Sequence, residues 1–484
     1  MNVLPSQMES MQRTVAEPAD ESDAAGRILL SVFELLDRCG IRYCVLHGYE
    51  AFPQRVKSDV DCVIDPRVTP GQIFALLHRN KASLGAEVVR HRGYYFVLAC
   101  RNSDGSHSFL TLDLAVECQL DGLPFYSGYE VLDGRRRHHR FWIPAAHIEF
   151  GCLLARSVAK AALSDARAQK LSSLYRQDPA GCARQVVRFW GMQSSGLIIS
   201  AARSGDWRDV TERLSDLRTE LRRRRITRAP LRFAADNLRA FANRMSRLVR
   251  PEGLSVVLLG PDGAGKSSLI EALSGRLDAV FRRSDCWGFA PALHRLLNRR
   301  RHPTDRPHAL PSRSLLTSLV RAAYWFFYYT LGYVMLHVAR ARSTLVLYDR
   351  HFVDILVDAK RYRYGGPRWI TRLIWRVMPK PDLIVLLDAA PEVLQSRKQE
   401  VSFEETTRQR EAYLSLARTM ANAHVVDASQ TPEQVACDVS EVILRHLAAR
   451  VARRRRVEAR RSRDAGYAAA STIGGQVLQA AKEK

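Results

Sequence analysis

Nine residues, GPDGAGKSS from Gly260 to Ser268, satisfy the spacing Gly-x4-Gly-Lys-Ser. Glycines at Gly260, Gly263 and Gly265 allow a tight turn whose backbone N–H groups face inward, and the helix that follows adds the partial positive charge of its N-terminus. Such a turn cradles phosphate. Lys266 can span the β- and γ-phosphates of a nucleotide, and the Ser267 hydroxyl can ligate magnesium. The candidate nucleotide-binding set is therefore Gly260, Gly263, Ala264, Gly265, Lys266, Ser267 and Ser268. Asp349 and Arg350 close the apolar run TLVLY, the edge where open parallel sheets place their ligands. There an acid can hold magnesium or orient an acceptor oxygen while the arginine engages phosphate; the competing reading is a surface ion pair. Asp388 ends the next such run, LIVLLD, as a structural or a phosphate-proximal acid. Arg397, Lys398, Arg408 and Arg410 follow it, either as a basic segment that closes over a transferring phosphate and excludes water or as an ordinary solvated helix.

A second constellation lies far upstream. Asp59 and Asp61 in SDVDCVID share one face if that segment is a strand, and Asp113 in TLDLAVE can add a third carboxylate from a neighbouring strand. Converging carboxylates of this kind hold metal ions for nucleotidyl transfer. The plainer reading is a strand edge that carries two aspartates.

The elements that must position these residues fall into two groups. Residues 1–24 are polar and expected to be disordered. AAGRILLSVFELLDRCG reads as an amphipathic helix ending near Gly40, followed by strand patterns in IRYCVLHGY, SDVDCVID, AEVVRHRGYYFVLACR and HSFLTLDLAVECQ, with a turn at Ser103–Ser106. This mixture predicts an α+β domain over 25–145. Residues 146–253 read as a helical extension and connector. LSVVLLG then opens a series of continuous apolar strands, repeated in STLVLYDRH and KPDLIVLLDAAP, with a short fourth in AHVVDAS. Strands separated by helical material predict a parallel α/β sheet over 254–448, and 449–484 form a basic C-terminal tail.

Composition narrows the partners. A chain of 484 residues exceeds one ordinary core, which supports the division into two domains. The formal charge of +24 favours anionic partners: nucleotides, nucleic acid or a phospholipid surface. Arginine clusters at Arg222–Arg225, Asn298–Arg301 and Arg450–Arg463 are either solvated helix faces or contacts for an anionic membrane or nucleic acid. Nine cysteines without CxxC or zinc spacing, and a start without a charged-then-apolar leader pattern, lead to an expectation of a cytoplasmic protein, with a place peripheral to the inner face of the membrane as the alternative. The uncharged run AAYWFFYYTLGYVML, Ala322–Leu336, is too short to span a bilayer. It is expected to form a buried core helix, the alternative being an interfacial one. A homodimer is left open.

Residues 254–448 resemble the thymidylate kinase branch of the P-loop nucleotide kinases. GPDGAGKSS matches that family's Gly-x-Asp-Gly-x-Gly-Lys-Ser/Thr loop, YDRH its Asp-Arg-Tyr/His motif, and PDLIVLLDAAPEVLQSRK its Pro-Asp-Leu strand and the approach to the lid. The resemblance implies that Asp262 sits near the acceptor phosphate, that Asp349 assists magnesium or the acceptor, that Arg350 binds phosphate, and that Arg397 and Arg408 are lid arginines. It departs from the family in two places. RRSDCWGFAPALHRLL stands where an Arg-Glu-Pro segment is expected, and LVRAAYWFFYYTLGY replaces the base-binding helix, leaving Arg321 as an anion contact there. Asp354, Asp358, Arg361 and Arg363 are then candidates to shape a different acceptor pocket. The N-terminal domain resembles the minimal nucleotidyltransferase fold through Gly48, Asp59, Asp61 and Asp113, with Tyr49 where that fold has a small serine.

The expected protein thus joins an N-terminal α+β nucleotidyltransferase-like domain with a helical extension to a C-terminal P-loop kinase fold with a parallel sheet. The expected reaction is transfer of the γ-phosphoryl group of ATP, with Mg2+, to a phosphorylated small-molecule acceptor. Its rivals are a magnesium-dependent nucleotidyltransferase acting through the N-terminal domain in polysaccharide biosynthesis, and a P-loop ATPase or binding protein.

Overall fold

LSVVLL is buried at every position because both faces of its strand are covered, and it becomes the central strand of the second sheet. The computed structural model describes residues 23–480 except 57–58, 121–122, most of 229–244, 274, 289–310 and 400, with side chains described only as far as 460 in the last helix. Residues 1–22, the Asn298–Arg301 cluster and most of the connector lie outside the described residues.

The first sheet contains β1 (Tyr43–Val45), β2 (Val60–Ile64), β3 (Glu87–Arg92), β4 (Tyr95–Arg101) and β5 (His107–Ala115), in the order β1-β2-β5-β4-β3. Only β2 and β5 run parallel. Two short hairpins follow: β6 (Glu117–Leu120) with β7 (Leu123–Ser127), and β8 (Arg136–His138) with β9 (Phe141–Ile143). The sequence patterns miss β7, β8 and β9, which are too short for alternation to register. Helices Ala146–Ala159 through Leu214–Arg228 then bury Phe150, Leu171 and Trp190 in one core.

The second sheet is wholly parallel: β10 (Leu254–Leu259), β11 (Arg283–Trp287), β12 (Thr344–Tyr348), β13 (Leu383–Asp388) and β14 (Ala423–Asp427), in the order β11-β12-β10-β13-β14. The order reverses at β10, so the crevice beyond its C-terminal end is where a ligand fits. β11 falls in the segment that lacked the expected motif. It reads as polar because it is an edge strand with only Trp287 buried.

Two further expectations meet corrections. The boundary at 448/449 cuts through one helix, Pro432–Ala480. Arg450 donates to the carbonyls of Gly253 and Glu252 at 2.9 and 2.6 Å, and Arg454 to Pro251 O at 3.0 Å. The first basic turns after 448 are therefore a clamp on the entrance to β10. Val451 and Ala452 pack against the first domain's core, and Val89, Val97 and Ala99 of that domain share a core with β10 and the C-terminal helix. Glu252 joins the halves, taking Arg90 at 2.7 Å and Arg92 at 3.0 Å.

The uncharged run is likewise not a core helix. Helix Leu315–Ala341 buries Ala322, Trp325 and Tyr329 against Phe352 and Ile355 but exposes a long apolar side. Being apolar all round, its sequence carries no periodicity to mark the outer face. Among the described residues no helix is long and apolar enough to cross a membrane.

Candidate functional site

β10 delivers the chain to a loop that only glycine can follow at two points. A Cβ on Gly260 would lie 2.7 Å from Leu387 O, and one on Gly263, at φ +85°, 2.5 Å from Leu394 O. The loop is thus pressed against β13 and the helix Pro391–Arg397. Helix Lys266–Leu273 starts immediately, and its first turn leaves backbone N–H groups without intrahelical acceptors at the mouth of the loop.

A cleft of about 520 Å³ opens over this turn. Its wall brings together Asp262, Gly263, Ala264, Gly265, Lys266, Ser267, Ser268, Asp349, Arg350 and Arg397, drawn from three segments well apart in sequence. Gly260 lies beneath the wall. Lys266 is 6% exposed and donates to Gly260 O at 2.7 Å and Pro261 O at 2.9 Å. Burial, reinforced by Arg350, pulls its amine down to about 8. A lysine poised there gains a proton when phosphate oxygens arrive, so ATP affinity should fall as pH rises past about 8, by up to ~10-fold per pH unit for one proton. Titration calorimetry at pH 7, 8 and 9 checks this, and Lys266→Arg should flatten the slope.

Asp262 is held by two guanidiniums, Arg350 at 2.7 Å and Arg361. Burial would raise its pKa, but Lys266, Arg350 and Arg361 overcome that and keep it below the usual carboxylate range. The carboxylate therefore holds Arg350, which lines the cleft, and Arg361 on its two oxygens. Burial opposes the charge on Arg350 too, and Asp354, Tyr362 and Asp262 outweigh it to raise its pKa. Asp354 is itself buried, which raises its pKa, and it is fixed by Tyr413 Oη at 2.7 Å and the His351 N–H at 2.8 Å. His351 is driven down to about 3 by burial among Tyr329, Tyr348 and Trp375, and serves packing.

The basic segment divides. Arg397 reaches the cleft, anchored on Ala428 O at 2.7 Å, and Lys398 lies beside it. Arg410 grips Asp388 through two bonds of 2.7 and 2.8 Å, which makes Asp388 a structural acid. Arg408 does not line the cleft: its guanidinium forks onto Glu405 at 2.7 and 2.6 Å, one helical turn away. Asp358 is buried against Gln409, and Arg363 caps Pro311 O. The far wall, Ala428, Gln430, Pro432 and Val435, was missed by sequence reasoning; nothing in those residue types signals a ligand.

In the first domain Asp61 and Asp113 sit side by side on β2 and β5, and Asp59 just precedes β2. Burial raises Asp113 to about 6, with Asp61 and Asp59 adding repulsion. Even so, among the described residues no three His, Cys, Asp or Glu side chains form a group able to hold a metal ion. His47 Nε2 lies 3.0 Å from Asp61, and burial, with Arg156 nearby, keeps that imidazole down at about 4, so it is neutral. Gly48 has the expected turn, at φ +73°. Tyr49 is buried and donates to Glu149 at 2.5 Å, tying the turn to the helical extension.

A second cleft, of about 700 Å³, lies between the two halves. Asp59, Tyr95 and Asp113 line it together with Arg90, Arg92, Arg247 and Arg282. Burial lowers the Arg247 pKa, and Arg92 and Arg282 add to the effect. No sequence signal could find this cluster, because its arginines come from three separate segments, β3 and the stretches around Arg247 and Arg282.

No protein-family model matches the chain. Curated relatives do. Thymidylate kinase of Ectopseudomonas mendocina is 30% identical over 215 residues, 40% of this chain and 95% of the relative. Probable thymidylate kinase of Pyrobaculum aerophilum is 28% identical over 200 residues, 39% of this chain and 96% of the relative. Thymidylate kinase of Oenococcus oeni is 26% identical over 217 residues.

Proposed function

The chain belongs, through about two-fifths of its length, to the thymidylate kinase-like P-loop kinases, and on that premise we propose that it transfers the γ-phosphoryl group of ATP to a phosphate-bearing small-molecule acceptor. The observation that carries the proposal is one cleft joining Lys266 and the loop to Asp349, Arg350 and Arg397. In the step, an acceptor oxygen bonds to the γ-phosphorus as the bond to the β–γ bridging oxygen breaks, and ADP departs. Lys266 and the loop N–H groups stabilise charge on the phosphoryl oxygens, and Arg397 approaches from the far side. Arg350 and Arg361, both held by Asp262, would together form a fork for the acceptor phosphate. Ser267 and Asp349 offer hard oxygen donors in the same cleft, which fits magnesium; when bound it would offset the negative charge of the phosphates. Thymidylate is the acceptor named for the relatives. In this chain RRSDCWGFAPALHRLL and LVRAAYWFFYYTLGY replace the segments that the resemblance would put around thymidylate, which favours a different acceptor.

The test is labelled ATP against nucleoside monophosphates and phosphorylated sugars. A labelled acceptor is expected. Labelled inorganic phosphate with every acceptor left unmodified would make the protein an ATPase instead.

The second cleft supports one other reading, a nucleotidyl transfer site in the first domain acting on a sugar or polymer, as polysaccharide production requires. Its acids line it together with arginines suited to a triphosphate. Product formation lost in Asp59→Ala but kept in Lys266→Ala would select it.

A further inference from the structure

The outer side of helix Leu315–Ala341 is an apolar stripe that stays exposed among the described residues. Leu316, Val320, Tyr324, Phe327, Leu331 and Val334 recur at spacings of three and four, so they share one face. Leu316 is 76% exposed and Phe327 69%. The neighbouring helix Arg368–Val377 repeats the pattern in miniature, exposing Trp369, Leu373 and Val377 at every fourth residue. The two helices meet through a shared core of Trp325, Tyr364 and Met378, with Ile370 and Ile374 packed on it. Exposed apolar rows of this length on two packed helices exceed what a solvated face tolerates and mark a contact.

Charge decides what the contact is. Neither Leu315–Ala341 nor Arg368–Val377 contains a single Asp or Glu. Arg368, Arg372 and Arg376 form an exposed row beside the apolar row of the shorter helix. Aliphatic and aromatic side chains flanked by arginines, with no acid, match the boundary between acyl chains and anionic headgroups. A second copy would press one acid-free cationic face on another, and nucleic acid would leave the aliphatic stripe in water. We propose that these two helices form an interfacial face by which the protein docks, without crossing, on an anionic phospholipid surface. This proposal is independent of the phosphoryl-transfer reading, and its failure would leave that reading intact.

The experiment is sedimentation of the full chain with vesicles of phosphatidylcholine alone or mixed with phosphatidylglycerol, alongside light scattering for mass. The wild type should bind the mixed vesicles about 10²-fold more tightly than the neutral ones, as three basic residues at the surface predict, and the preference should shrink with salt. Phe327→Glu with Leu331→Glu should lower binding at least ~10-fold while ATP affinity is unchanged. Trp369→Ser with Leu373→Ser repeats the test on the other helix should the first pair disturb folding. Arg372→Glu with Arg376→Glu should abolish the preference for anionic vesicles. Failure of the wild type to sediment with mixed vesicles would overturn the proposal, as would undiminished binding by the apolar variants. A wild-type dimer that Phe327→Glu with Leu331→Glu converts to monomer, or nucleic-acid binding lost in the same variant, would assign the face elsewhere and overturn it equally.

Discussion

Lys266→Ala is expected to lower the turnover of phosphoryl transfer by about 10²–10³-fold, the usual consequence of deleting one preorganised charge at a developing anion. Its effect on stability should run the other way. The folded pKa, near 8, lies below the lysine's ordinary 10.5, so the fold favours the neutral amine, and the charged form at pH 7 is held at a cost on the order of 3 kcal/mol. By the same sign, this group's contribution becomes more favourable as pH rises from 8 to 10.5. Removing it should therefore leave the thermal midpoint at pH 7 unchanged or raised. Calorimetric melting beside steady-state rates reads both. A residue whose loss destroys activity without lowering stability is one kept for chemistry.

Arg350→Ala should fail in both respects. Its guanidinium is mostly buried and paired with Asp262, and its charge also offsets the buried Asp354. Deleting it leaves two carboxylates short of a cation, at a cost of about 3 kcal/mol. Asp262 would retain Arg361 alone, so the fork offered to the acceptor phosphate would collapse to one arm. The acceptor KM should rise more than the KM for ATP, whose contacts come chiefly from the loop. Arg350→Lys separates the two roles: it restores charge, and with it part of the stability, but a point charge cannot rebuild the bidentate geometry. Urea midpoints and paired KM values for both variants make the comparison.

These effects were partly legible in the sequence because the phosphate loop is built from local rules. Gly260 and Gly263 are required by backbone approach, Lys266 follows at a fixed offset, and β10, β12 and β13 announce themselves as continuous apolar runs. Asp349 and Arg350 were found by their place at a strand end. Which lid arginine reaches the cleft was not legible. Arg397 enters it at the end of its own helix, whereas Arg408 and Arg410 are claimed by Glu405 and Asp388, a matter of tertiary distance that spacing does not encode. The same holds for the joint between the halves. Arg450 and Arg454 look like tail residues until the carbonyls of 251–253 are seen beside them. In the first domain, the turn at Gly48 and the cross-strand pair Asp61–Asp113 were readable from pattern alone, but whether three carboxylates converge closely enough to share an ion depends on register and on the neighbours His47 and Arg156.

The central claim is that the cleft above Gly260–Ser268 grips the terminal phosphates of ATP. Titration calorimetry with magnesium and a non-hydrolysable ATP analogue at pH 7 tests it most directly. One saturable site per chain, lost in Lys266→Ala and retained in Asp59→Ala, is the predicted result. Folded wild-type protein that takes up no nucleotide, or a Lys266→Ala variant that binds it as tightly as the wild type, would contradict the account.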